Sequence, residues 1–160
     1  MHEEILRILD ENDRIDPATI ATMLGVSEEE VRKAIDQLEQ RKAIVKYHAV
    51  VNWEKVDSDL VQALIDVKVS PQREVGFDQI AERIYRFPEV KSVYLMSGAY
   101  DLSVAVEGKS LKEVADFVAT KLATIEHVLS TTTHFILRKY KEEGVILDDK
   151  SEAKRLVVSP

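Results

Sequence analysis

Residues 20–38 read IATMLGVSEEEVRKAIDQL. Ala21 is followed by Gly25 four positions later and by Val31 six after that, with Ile35 and Leu38 continuing the apolar face. The pattern suits two helices crossing at a steep angle. A small residue lets the helices approach, a glycine supplies the tight turn, and the later apolar residues pin the second helix. A helix-turn-helix needs this geometry, with its second helix lying in the DNA major groove. The first expectation is therefore a reader of duplex DNA.

Working outward, residues 3–12 read as a preceding helix, with Ile5, Ile8 and Leu9 on one stripe. Asp16-Pro17 is a helix start: the Asp caps, and the Pro takes the first helical position, where its missing N–H is no loss. That helix runs to Leu24. Ser27 caps the next, and Glu30 three residues later completes a capping box. Val31, Ala34, Ile35 and Leu38 form its buried face, leaving Arg32, Lys33, Asp36, Gln37 and Gln40 on the open one. After Lys42 the period changes. AIVKYHAVVNW, residues 43–53, is rich in β-branched and aromatic residues and reads as a strand, a wing running into an extended linker. The polar VDSDL at 56–60 reads as a hinge.

The second half alternates strand and helix. Residues 63–69 form a strand with Leu64, Asp66 and Lys68 facing one way and Ile65, Val67 and Val69 the other. Residues 77–87 read as a helix stopped by Pro88, 90–96 as a strand, 97–99 as a turn and 101–106 as another strand. Ser110 caps a helix from 111 to about 125, and 128–139 read as a long last strand. The order is βαββαβ, a ferredoxin-like antiparallel sheet with both helices on one face. The opposite face needs a cover, and a second copy, sheet against sheet, is the default solution. The predicted fold class is α+β, an N-terminal winged helix-turn-helix plus a C-terminal ferredoxin-like domain. The divisions are residues 1–50, a linker at 51–60, the second domain at 61–141 and a tail at 142–160, whose end, DDKSEAKRLVVSP, has no clear period.

Composition narrows the function. Of 160 residues 45% are hydrophobic, enough for real cores, and no apolar run is long enough to span a bilayer. The acidic, amphipathic N-terminus lacks the basic start and apolar core of a signal peptide. The absence of Cys removes disulfides and thiolate metal sites and fits a reducing cytoplasm. There is no Gly-rich phosphate loop and no H-E-x-x-H, and His2, His48, His127 and His134 are scattered without metal-ligand spacing. Neither an enzyme, a cofactor nor a metal is expected. Charge works against DNA binding: residues 1–60 carry eight Lys and Arg against fourteen Asp and Glu, a net of −6 in a chain of net −7. The alternative is an effector-sensing oligomer whose acidic helical domain recruits a protein partner.

A winged helix-turn-helix, a strand linker and a βαββαβ module in this order resemble the Lrp/AsnC, or feast/famine, family of transcription regulators, over roughly residues 3–146. LMSGAYDL, residues 95–102, looks like the family's turn between the second and third strands of the effector domain. LEQRKAIVKY, residues 38–47, looks like its helix-to-wing segment, with Lys42 and Lys46 standing where the family pattern has Gly. The resemblance implies a dimer that assembles to a tetramer or octamer. It also implies an effector, usually an amino acid, bound in clefts between effector domains of neighbouring dimers, and DNA bent around the assembly.

The residues expected to meet DNA are Ser27, Arg32, Lys33, Asp36 and Gln37 on the third helix, with Arg41, Lys42 and Lys46 on phosphate and His48 beside them. Any surface helix carries a similar solvated face; the three-helix context favours contact. Glu28, Glu29 and Glu30 suit the helix N-terminus electrostatically. The residues expected to meet the effector are Met96, Ser97, Gly98, Ala99, Tyr100 and Asp101, with Thr132, Thr133, His134 and Ile136 (and Phe135 beside them) as the cleft wall by resemblance. Gly98 would let consecutive backbone N–H groups face a carboxylate, and Asp101 would accept from an α-ammonium group or hold the turn rigid. A plain hairpin uses the same residue types. Ala99 departs from the polar residue common at that place in the family.

Overall fold

The computed structural model describes residues 1–56, 58–70 and 76–147. Asp57, inside the stretch read as a hinge, and the tail from 148 onward lie outside the described residues. The chain divides into two compact units, Met1–Val51 and the remainder from Asn52.

The first unit is three helices, α1 (His2–Glu11), α2 (Pro17–Leu24) and α3 (Glu28–Gln40). Each boundary has a local cause. Asp16 accepts the Thr19 N–H at 2.9 Å to open α2. Gly25, in the left-handed conformation at φ 67°, closes it. Ser27 and Glu30 form the reciprocal capping box that starts α3; such caps contribute about 1 kcal/mol each. The end of α3 is a Schellman motif: the Ala43 N–H bonds Leu38 O at 2.8 Å and the Lys42 N–H bonds Glu39 O at 2.9 Å. Lys42 takes the left-handed position, φ 55°. Ile5, Ile20, Val31 and Leu38 are fully buried where the three helices meet, and each such burial is worth about 1.5–3 kcal/mol.

The wing strand expected over 43–53 does not form. Residues 45–52 are irregular and unladdered, followed by a single 3-10 turn, Trp53–Lys55. β-branched residues suit a pleated ladder, but a ladder needs a second strand. None is described in this unit, and Val45 stays 81% exposed.

The second unit is an antiparallel sheet of order β2-β3-β1-β4, formed by β1 (Val61–Val69), β2 (Val90–Leu95), β3 (Leu102–Gly108) and β4 (Val128–Phe135). Helices α4 (Phe77–Tyr85) and α5 (Leu111–Phe117) cover one face. Alternation along β1 sets the layers: Ala63, Ile65, Val67 and Val69 are buried beneath the helices with Val104, Val106, Ile80, Ile84 and Leu122. Leu64 and Tyr94 lie on the uncovered face, 41% and 57% exposed. The helix expected to reach residue 125 ends at Phe117 and passes into a π-helical turn, Val118–Leu122. The last strand stops at Phe135 rather than 139: its last registered partner is Ala63, one more bond follows from the Ile136 N–H to Gln62 O, and β1 offers nothing beyond Val61 to 138 and 139. A small hairpin not anticipated from sequence, β5 (Lys141–Glu142) and β6 (Val145–Ile146), follows. Glu143 and Gly144 make its tight turn with φ 45° and 82°, the two-residue connection that matches strand twist.

Candidate DNA-reading and effector sites

On the first unit, burial of Val31, Ala34 and Leu38 turns Arg32, Lys33, Asp36 and Gln37 outward, and all four are exposed. Glu29 and Gln40 share this face by helical spacing. Arg32 does not stand alone. Its Nε lies 2.8 Å from Glu28 Oε1, and its terminal nitrogen reaches the same oxygen. Ser27, expected to meet DNA, is committed to the capping box: its hydroxyl donates to Glu30 Oε2 at 2.7 Å and accepts the Glu30 N–H. Hydrogen bonds from the Ser27 hydroxyl and then its backbone N–H hold the Glu30 carboxyl below the ordinary 4.5.

Arg41, Lys42 and Lys46 are exposed and follow directly on α3. The Tyr47 hydroxyl donates to Glu39 Oε1 at 2.9 Å, fastening the segment that carries Lys46 back onto the last turn of α3. Burial, that hydrogen bond and the charges of Glu39 and Asp13 push the Tyr47 phenol up to about 12. Neither the Glu28 nor the Tyr47 contact was expected from sequence. The i,i+4 spacing of Glu28 and Arg32 was the available signal for the first.

On the second unit, the turn between β2 and β3 is pinned to the C-terminal end of β1 by three bonds. The Asp101 N–H donates to Val67 O at 3.0 Å, Asp101 Oδ2 accepts the Val69 N–H at 2.8 Å, and Lys68 Nζ donates to Ala99 O at 3.0 Å. The Met96 N–H closes the turn onto Asp101 O at 2.8 Å. Of the two roles considered for Asp101, the turn-holding one is thus formed in the free chain. Gly98 does not adopt a positive φ, and a Cβ built there meets nothing within 4 Å. Neither its backbone conformation nor its surroundings require a glycine, contrary to the expectation. Met96, Ser97 and Ala99 are exposed.

The remaining expected effector residues divide. Tyr100 and Thr132 meet through their hydroxyls at 2.9 Å, so these two join the turn. His134 pairs with Asp66, Nε2 to Oδ2 at 2.9 Å, on the uncovered sheet face. Thr133 registers with Ile65 and so belongs to the helix-covered side, away from that face. Ile136 sits past the end of β4 with its N–H on Gln62 O. It lines a cleft of ≈ 490 Å³ formed with Gln62, Leu64, Tyr94, Arg138 and Tyr140, which includes none of the turn residues. Sequence reading passed over Lys68; its alternation with Leu64 and Asp66 was the signal that placed it on the turn's side of the sheet. Among the described residues there is no group of three or more His, Asp or Glu that could hold a metal, and no helix long and apolar enough to cross a membrane.

Residues 62–146 match the family model described as the Lrp/AsnC ligand binding domain. The Bacillus subtilis protein YugG, named an uncharacterized HTH-type transcriptional regulator, is 58% identical over 98% of this chain and 95% of its own length. The feast or famine regulatory protein Rv3291c of Mycobacterium tuberculosis, solved in complex with L-methionine, superimposes with a TM-score of 0.71 at 23% identity, over 91% of this chain and 96% of that one. The Neisseria meningitidis transcriptional regulator NMB0573, also solved with L-methionine, gives 0.69 at 23% identity, over 88% and 90%.

Proposed function

Because the chain belongs to the Lrp/AsnC family of transcription regulators, we propose that α3 reads duplex DNA while the β2–β3 turn senses an amino acid, in the cytoplasm. The observation that carries this reading is the joining of two units in one chain. The first is a capped helix-turn-helix whose α3 presents Arg32, Lys33, Asp36 and Gln37 outward. The second carries the turn at residues 96–101, pinned to β1 through Asp101 and exposed over residues 96–99. Two solved structures of the same fold carry L-methionine, which supports an amino acid as the class of effector.

The uncovered sheet face supports assembly: Leu64 and Tyr94 are exposed there among polar neighbours, and a second copy is the simplest cover. A dimer assembling to a tetramer or octamer would also complete an effector cleft between copies, of which one chain holds a single wall. Assembly answers the charge problem too. An N-terminal unit of net negative charge binds weakly alone, whereas several units held together bind through their effective concentration. Effector binding then acts by favouring one assembly state over another.

The test is fluorescence anisotropy of the duplex upstream of the protein's own gene, titrated at increasing salt. Four phosphate contacts per unit, by Arg32, Lys33, Lys42 and Lys46, predict a slope of log K against log salt of about −3 to −4 per engaged unit. Absence of binding at low salt by protein shown to be oligomeric would overturn the DNA reading. It would favour the second one, in which the acidic helical unit recruits a protein; the pairing of Arg32 with Glu28 is the observation on that side.

A further inference from the structure

We infer that the ammonium of Lys68 is the group that receives the effector's carboxylate, exchanging Ala99 O for it as acceptor. The inference rests on the reading of the β2–β3 turn as the effector site and adds to it the cation that the turn itself lacks.

Residues 96–101 supply one charged side chain, the anion Asp101. An amino acid carries both charges, so a turn with Asp101 alone attracts the ammonium end and repels the carboxylate. Lys68 closes this imbalance. It leaves β1 on the face shared with Asp66, registers with Ser130 of β4, and places Nζ 3.0 Å from Ala99 O in the middle of the turn. The neighbouring anion on that face, Asp66, is taken by His134 at 2.9 Å, and among the described residues the Lys68 ammonium is accepted by a neutral carbonyl, that of Ala99. A carboxylate adds the opposite charge on the acceptor side, turning a bond to a neutral oxygen into an ion pair, and displaces the carbonyl. One residue before that carbonyl the turn is open: apart from its chain neighbours, nothing described lies within 4 Å of a Cβ at Gly98. On the other side, Asp101 engages one oxygen with the Val69 N–H, leaving the second for the ligand's ammonium. Lys68 and Asp101 thus bracket the turn with opposite charges, the pattern a zwitterion requires.

The experiment uses the full chain. The twenty L-amino acids are screened by thermal shift against the wild type, and each hit is titrated by calorimetry as the free acid and as its carboxamide, against wild type, Lys68→Met and Lys68→Arg. Circular dichroism and size-exclusion chromatography establish that the variants fold and assemble. The wild type is expected to prefer acid over amide at least tenfold. Lys68→Met should lose that preference by weakening the acid alone, and Lys68→Arg should keep most of it. A Lys68→Met protein that retains the wild-type acid-over-amide ratio overturns the inference while leaving the turn as the effector site. If no amino acid raises the wild-type melting temperature, the reading of the site falls and the inference with it. Should Lys68→Met fail to fold, the Lys68→Arg and wild-type ratios decide: an amide that binds the wild type as tightly as the acid overturns the role.

Discussion

Glu28 and Arg32 are joined on the outward side of α3, the guanidinium resting on a carboxylate one turn earlier. The pair sits where the helix would meet DNA. An exposed pair of this kind contributes little stability, but it sets a competitor against phosphate for the same guanidinium. Replacing Glu28 with Gln removes the competitor and one negative charge. DNA affinity should rise about three- to tenfold at low salt, the gain shrinking at high salt, as read by anisotropy. Equal affinity in both proteins would remove Arg32 from the interface.

Lys42 occupies the left-handed position of the Schellman motif, φ 55°, where the family pattern has Gly. A side chain in that conformation costs about 1–2 kcal/mol. Lys42→Gly should therefore raise the unfolding free energy by about 0.5–1 kcal/mol in denaturant titration, after Gly's larger unfolded-state entropy is set against it. If Lys42 touches phosphate, the same variant lowers the salt slope of DNA binding by about 1. A stabilised protein with unchanged slope would assign Lys42 to the cap alone.

The boundaries of α2 and α3 were legible because their causes are local: Asp16, Pro17, Gly25, Ser27 and Glu30 act within four residues of where they stand. The same holds for the alternation of β1. Non-local causes were not legible. Residues 43–53 have strand composition without a strand to pair with, and 138–139 have no β1 residue opposite them because β1 starts at Val61. At the β2–β3 turn, Asp101 could be read as useful, but its bond to the Val69 N–H depends on how β3 registers with β1. Lys68 was invisible as a site residue for the same reason, being 31 residues from the carbonyl it reaches.

Asp101 holds the turn, and in the proposed function it also receives the effector's ammonium. Asn keeps an oxygen to accept the Val69 N–H but loses the charge, while Ala loses both. Asp101→Asn should fold with near-normal stability and lose effector binding. Asp101→Ala should in addition unfold more easily, by about 1–3 kcal/mol, because a buried N–H is left without its partner. Calorimetry and denaturant titration on the two variants check this. An Asn variant that binds the effector normally would leave Asp101 with the turn alone.

Gly98 needs no special backbone conformation and a Cβ there meets open space. Gly98→Ala should therefore raise stability slightly, by about 0.4–1 kcal/mol, through the unfolded chain. If the open space is where the effector lies, the same methyl lowers effector affinity. Stability gained without affinity lost would place the ligand elsewhere, with the ≈ 490 Å³ cleft beside Ile136 as the next place to look.

The first unit should lose stability at both ends of the pH scale, by opposite linkages. Asp16 and Glu30 are held below their ordinary 3.8 and 4.5, Asp16 by the Thr19 N–H and hydroxyl, Glu30 by the Ser27 hydroxyl and N–H. A carboxyl depressed in the folded state contributes stability that is complete above its ordinary value and is lost as pH falls through the folded one. Melting temperature should therefore drop below about pH 4.5. Asp16→Asn and Glu30→Gln, melting lower at pH 6, should show a smaller further drop at pH 3. Tyr47 runs the other way. Its phenol is raised from 10 to about 12, so its contribution is complete below pH 10 and is lost as pH rises toward 12. Ultraviolet titration should show a late-ionising tyrosine that disappears in Tyr47→Phe. A tyrosine titration curve identical in that variant, apart from one fewer group ionising near 10, would mean that the Tyr47–Glu39 bond does not hold the segment after α3 in solution.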